Sequence, residues 1–123
     1  MPTYDLRELT GGNDAFRREI VTGSASQLVV MTLEPGETIG LETHEHGDQI
    51  LFVVEGDADV LLDGAATRVG AGGAAYVPAG VEHDVRNVGA GALRLVSVYA
   101  PPEHAPGTVH ETKADAEAAE HHA

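Results

Sequence analysis

The chain reads as an all-β protein, a double-sheet jelly roll or small barrel, on three observations. About ten short runs of strand-forming residues are punctuated every 6–12 residues by Gly or Pro turns. Side chains along these runs follow a two-residue period, and a helical pattern appears only after Thr112. At 123 residues the chain supports one hydrophobic core, because two halves would each be too small to stand unaided. The expectation is therefore one domain over residues 1–123, with its core at about 26–100 and a C-terminal loop and helix at 101–123. An α/β fold would need helices between the strands, and the sequence offers none there.

Residues 3–13 are polar and close in the turn cluster Thr10-Gly11-Gly12-Asn13. Phe16 to Val21 and Gln27 to Leu33 are apolar runs separated by Gly23-Ser24-Ala25-Ser26, a spacing that suits antiparallel strands. Pro35-Gly36 then turns the chain into a segment expected to be extended as far as His46, followed by a short turn at Gly47-Asp48. Ile50 to Val54 is a strand apolar on both faces, closed by Gly56. Asp57 to Leu62 and Ala65 to Val69 flank Asp63-Gly64, a hairpin signal, and Ala74 to Val77 follows Gly72-Gly73. After Pro78-Ala79-Gly80, His83, Val85 and Asn87 share one face.

The strand Leu93 to Tyr99, like Gln27 to Leu33, is apolar on both parities. A small barrel or sandwich normally leaves one sheet face wet, so these outer apolar residues predict a homodimer interface. Residues 101–110 form a Pro-rich loop. Thr112-Lys113-Ala114-Asp115 resembles a capping box, and the Ala/Glu-rich residues to about 121 favour a short terminal helix ending at His121 and His122.

With no Cys, neither a disulfide nor a thiolate metal site is available; a transition metal must be held by His, carboxylate, amide or water. Twenty acidic residues against seven basic ones give a net charge of −13, which repels nucleic acid and anionic membrane surfaces. No apolar run approaches a membrane span, and MPTYDLRELTGG has neither a basic nor a hydrophobic leader. The expectation is an acidic, soluble, cytoplasmic protein whose partners are small molecules, not nucleic acid or membrane.

The chemistry centres on Pro35 to Gly56, around His44-Glu45-His46. In an extended strand side chains at i and i+2 point the same way, so His44 and His46 can converge on one metal ion. The same parity puts Glu42 beside them, as a candidate proton acceptor or an ordinary rim carboxylate. His83 supplies a third imidazole from the second stretch, Gly72 to Asn87. The alternative is a polar barrel centre kept satisfied by water. His104 and His110 read as solvated loop residues, with cover of the barrel mouth as the other option.

The two stretches resemble the paired motifs of the cupin superfamily. Gly72, Pro78, Gly80, His83 and Asn87 follow its G-x5-P-x-G-x2-H-x3-N form without a gap. In the first stretch His44-x-His46 and Gly56 match, but Gln49 stands seven residues before that Gly where the pattern usually has Glu, and the spacer after His46 is short. The ending YAPPEHAPGTVHETKADAEAAE also resembles small single-domain cupins, including those labelled mannose-6-phosphate isomerase-like. The resemblance implies a double-stranded β-helix barrel holding a divalent iron, manganese, nickel, copper or zinc ion through His44, His46, Gln49 and His83.

Gln49 is neutral and does not accept protons near pH 7, so the proton-acceptor role of the usual Glu does not carry over. Three imidazoles and an amide would leave a doubly positive site suited to anionic ligands. Two functional classes are expected: a metal-dependent enzyme on a small polar or anionic molecule, of sugar-isomerase or dioxygenase type, or a non-catalytic small-ligand-binding cupin. A metal-free structural dimer ranks third. The scarcity of nearby cations weighs against a phosphorylated sugar.

Overall fold

The computed structural model describes residues 2–121, the side chain of His121 excepted; His122 lies outside them. In chain order the elements are α1 (Leu6–Gly11), β1 (Arg17–Thr22), β2 (Gln27–Leu33), β3 (Asp48–Glu55), β4 (Asp57–Leu62) and β5 (Ala65–Gly70). β6 (Ala74–Val77), β7 (His83–Asn87), β8 (Leu93–Ala100), β9 (Val109–His110) and α2 (Lys113–His121) complete them. The strands form two antiparallel sheets, one ordered β6-β3-β8-β2-β1-β9 and one ordered β5-β4-β7, a cupin-like jelly-roll sandwich.

Alternation along the strands sends one set of side chains between the sheets. Val29, Met31 and Leu33 from β2, Leu51 and Val53 from β3 and Leu93 and Leu95 from β8 meet Ala58, Val60 and Val85 from the smaller sheet. Each fully buried Leu stabilises by about 2 kcal/mol. That apolar packing fills one end. At the other, the inward row reads Gln27, Tyr99 and Gln49, paired in register across β2, β8 and β3, and this polar row floors the site.

Asn87 ties the layers together: Nδ2 donates to Leu33 O at 3.0 Å and Gly91 O at 2.9 Å, and Oδ1 accepts from Gly89 N at 2.9 Å. Gly56, at φ 97°, passes so close to Ala92 that a Cβ there would lie 2.8 Å from its carbonyl oxygen. At the chain's end Asp115 N donates to Thr112 Oγ1 and Thr112 N donates to Asp115 Oδ2, so the capping box forms.

Two elements differ from expectation. Residues 38–46 are not a strand: their backbone pairs with β7 through isolated bridges, Thr38 with Arg86 and Glu42 with His83, and Gly40 N donates to Asp84 Oδ1 at 3.0 Å. The turn falls at Glu45-His46, two residues earlier than Gly47-Asp48, and Asp48 already opens β3. Gly47 lies against the start of the C-terminal loop, where a Cβ would sit 3.1 Å from Pro101 Cδ, so the chain must bend before it. The second difference is α1, in a stretch read as polar and irregular. Asp5 caps it, accepting from Arg7 N and Glu8 N.

Helix α1 lies against β8, β2 and β3, and Arg94 Nη1 donates to Thr10 O and Asn13 O at its end, both at 2.8 Å. Val30 and Val96, outward by alternation, are 0% and 1% exposed. The chain therefore covers part of the outer apolar surface itself. Among the described residues no helix is long and apolar enough to cross a membrane.

Candidate metal centre

Glu42, His44 and His83 converge, with one ligand-capable atom of each within 4.8 Å of the others. Backbone pairing brings them together. Glu42 N donates to His83 O at 2.9 Å and His83 N to Glu42 O at 2.8 Å, while His44 O accepts from Gly80 N at 2.9 Å. The Pro78-Gly80 turn thus holds the segment bearing Glu42 and His44 over the start of β7. The two imidazole rings lie 5.0 Å apart.

Each ring has its Nδ1 engaged elsewhere. His83 Nδ1 lies 3.0 Å from Val81 O, an arrangement in which the ring N–H donates to the carbonyl and Nε2 keeps its lone pair. His44 Nδ1 lies 3.3 Å from Glu103 Oε1 and its Nε2 3.2 Å from Glu42 Oε2. With Nδ1–H turned to Glu103, a ring lone pair and a carboxylate lone pair face each other. Such a contact requires a cation between them, a second proton or a metal. Metal bonds of about 2.0–2.2 Å to two adjacent ligands place those ligands about 3 Å apart, close to the spacing seen.

Burial alone would raise the Glu42 carboxyl, but the His44 contact and the Arg17 guanidinium outweigh it and hold it below the ordinary carboxylate range. The same Glu42 contact raises His44 above the ordinary imidazole value, against burial and with help from Glu103. The two shifts favour the charged form of each group, the carboxylate of Glu42 and the imidazolium of His44.

Gln49 is 3% exposed on β3, directly across from Tyr99. Its Nε2 donates to Ser97 Oγ at 3.1 Å and reaches Tyr99 OH at 3.5 Å, which leaves Oε1 buried without a partner. The Tyr99 ring stands edge-on to His44 at 5.7 Å. A buried amide oxygen without a hydrogen-bond partner fits a cation or a bound water. His46, by contrast, is exposed in the Glu45-His46 turn and is not among the converging groups. Its parity with His44 needs extended backbone, and the bend before Gly47 removes it.

The mouth of the site involves Arg17 and Glu103, which sequence reasoning passed over, and His104 and His110, for which cover of the mouth was the second option. A cavity of about 380 Å³ is lined by Arg17, Glu42, His44, Glu103, His104 and His110, among others. The C-terminal loop closes it because Gln27 grips that loop. Gln27 Nε2 donates to His104 O at 2.6 Å, and Gln27 Oε1 accepts from Glu103 N and His104 N at 3.2 and 3.0 Å. His104 is not a solvated loop residue: its ring packs 5.3 Å from Tyr99 and its Nε2 is buried. Burial, then Arg17, pushes its pKa down to about 4.

A jelly roll with inward imidazoles contributed from two such stretches is the architecture of the cupins. The Cupin domain family matches residues 29–99, and the chain belongs to it. It is 42% identical over 122 residues to the uncharacterized protein YrkC of Bacillus subtilis, a match covering 94% of this chain and 66% of that protein. The crystal structure of BH2720 from Bacillus halodurans superposes with a TM-score of 0.92 at 43% identity, covering 94% of this chain and 92% of that one. The mannose-1-phosphate guanylyltransferase of Escherichia coli is 33% identical over 79 residues, 64% of this chain but only 16% of that enzyme.

Proposed function

We propose that the protein is a metal-dependent cupin acting on a small polar or anionic molecule, with Glu42, His44 and His83 as ligands of one divalent first-row ion. The observation that carries this is their convergence within 4.8 Å, with both Nδ1 atoms tied to other acceptors. Two imidazoles and a carboxylate suit iron, manganese, nickel, copper or zinc and leave positions open. Gln49 Oε1 is the further oxygen donor, directly or through water. Such an ion, when bound, supplies Lewis acidity to a substrate oxygen, or in the redox-active cases a site for oxygen chemistry. Glu103 and the Val81 carbonyl orient the imidazoles, and Tyr99 and His104 limit water. Glu42 then serves as a ligand and not as a free proton acceptor.

One observation favours a second reading, a non-catalytic small-ligand-binding cupin. Gln49 is neutral, and with Glu42 drawn into the centre the floor of the site lacks an obvious proton acceptor. Oxygen uptake or carbonyl isomerisation by the metal-loaded protein across a substrate panel would decide for the enzyme.

The centre is tested by metal analysis of tag-free protein. About one equivalent of metal per chain is expected, lost in His44→Ala and His83→Ala and kept in His46→Ala. Full metal content in both of the first two variants would remove the proposed centre.

The homodimer is also proposed. Its support is a cross-strand row on the outer face of the larger sheet, Val21, Leu28, Val98, Ile50 and Tyr76, each paired with the next. Val21, Ile50 and Tyr76 are 37%, 38% and 56% exposed, beyond the reach of α1.

A further inference from the structure

Arg17 is 3% exposed, a charged group that solvent does not compensate. The chain compensates it poorly. Nη1 donates to His110 Nδ1 at 3.2 Å, Nη2 is 4.0 Å from Glu42 Oε1 and beyond hydrogen-bond reach, and Nε is buried with no partner. The guanidinium lies over the Phe16 ring, 5.5 Å from its centroid. The edge formed by Nε and Nη2 is thus a two-donor fork without a hydrogen-bonded acceptor, on a residue that lines the same cavity as Glu42 and His44. Two parallel N–H donors of this kind match the two oxygens of a carboxylate.

We propose that Arg17 is the anion-binding residue of this site. The ligand it selects is a small monocarboxylic acid carrying a hydroxyl or carbonyl oxygen close to its carboxyl group. The carboxylate meets the Arg17 fork, and the second oxygen faces the Glu42–His44–His83 cluster. The short span dictates a small molecule: a single carboxylate, that of Glu42, separates Arg17 from His44, by 4.0 Å on one side and 3.2 Å on the other. Charge dictates a monoanion. Arg17 is the one guanidinium lining the cavity, while Glu42, Glu103 and Glu120 also line it, so a phosphate dianion meets more repulsion than attraction. A neutral sugar hydroxyl can accept from one donor of the fork but brings no charge to offset the buried guanidinium.

The inference rests on the metal-centre reading for the second oxygen but not for the carboxylate, and the experiment separates the two. Lactate and pyruvate are titrated calorimetrically against lactamide and pyruvamide, which keep the second oxygen and lose the negative charge. Metal content is measured on the same samples. Wild-type protein should prefer each acid over its amide by about tenfold or more. Arg17→Gln should erase that preference with metal content unchanged, and Arg17→Lys, which keeps the charge but not the fork, should retain part of it. Acids and amides binding alike to wild type would overturn the proposal. So would a preference surviving in Arg17→Gln or, should that variant not fold, undiminished in Arg17→Lys. Wild-type protein that takes up no metal removes the centre alone, and an Arg17-dependent preference in that protein still upholds the anion subsite.

Discussion

A neutral imidazole buried against a phenol, with the charge of a guanidinium acting on it, destabilises the folded chain as acid is added. His104 takes up a proton near pH 6.5 when unfolded but only near pH 4 when folded, chiefly because it is buried and then because Arg17 is close. Between those values the unfolded chain binds more protons, so this residue's contribution to stability is lost as pH falls through the window. His104→Ala removes that dependence. Urea unfolding at pH 7 and pH 4.5 should show the wild-type advantage over His104→Ala shrinking at the lower pH; a constant or growing gap refutes the assignment. At this scale the sequence revealed the residues fixed by local pattern. His83 sits in an ungapped motif, and Glu42 shares a face with His44 through a segment whose backbone follows β7. His46 stands apart from the converging groups, because parity holds only where the chain is extended. Arg17 and Glu103 were illegible, since they meet the site through folding contacts more than 20 residues away in the chain.

Elements were legible where turn chemistry and period agreed, as in the Asp63-Gly64 hairpin and the Thr112 capping box. Helix α1 was missed because six residues are too few to show a helical period, though Asp5 followed three residues later by Glu8 was an available start signal. The first part of the loop after β8 is held by one amide, that of Gln27, which serves three backbone groups of Glu103 and His104. Gln27→Ala would leave those groups without partners in a mostly dry setting, at a cost of about 2–3 kcal/mol. It should also release Glu103 from His44. Chemical denaturation would read the first effect, and a drop in metal affinity with His44 and His83 intact the second; unchanged stability and affinity would show that the loop holds itself.

For the molecule as a whole, the fold class followed from punctuation and period, and its two layers and polar end agree with the jelly-roll expectation. Assembly is less direct. The apolarity of both faces of β2 and β8 was read as one interface, but α1 covers part of it, and the row from Val21 to Tyr76 is what stays open. Two copies each carrying a net charge of −13 repel, and salt screens that repulsion. Sedimentation should therefore give a dimer that tightens with added salt, and Ile50→Asp, which puts a charge in the middle of the row, should give a monomer with an unchanged fold. A monomer at all salt concentrations, or a dimer indifferent to Ile50→Asp, would place the contact elsewhere.

The floor and the rim of the site come from different parts of the chain. Glu42, His44, Gln49 and His83 lie within the cupin-matched span 29–99, whereas Arg17, Glu103, His104 and His110 lie on either side of it. The ends of the polypeptide thus build the rim around a floor that the family-matched span supplies.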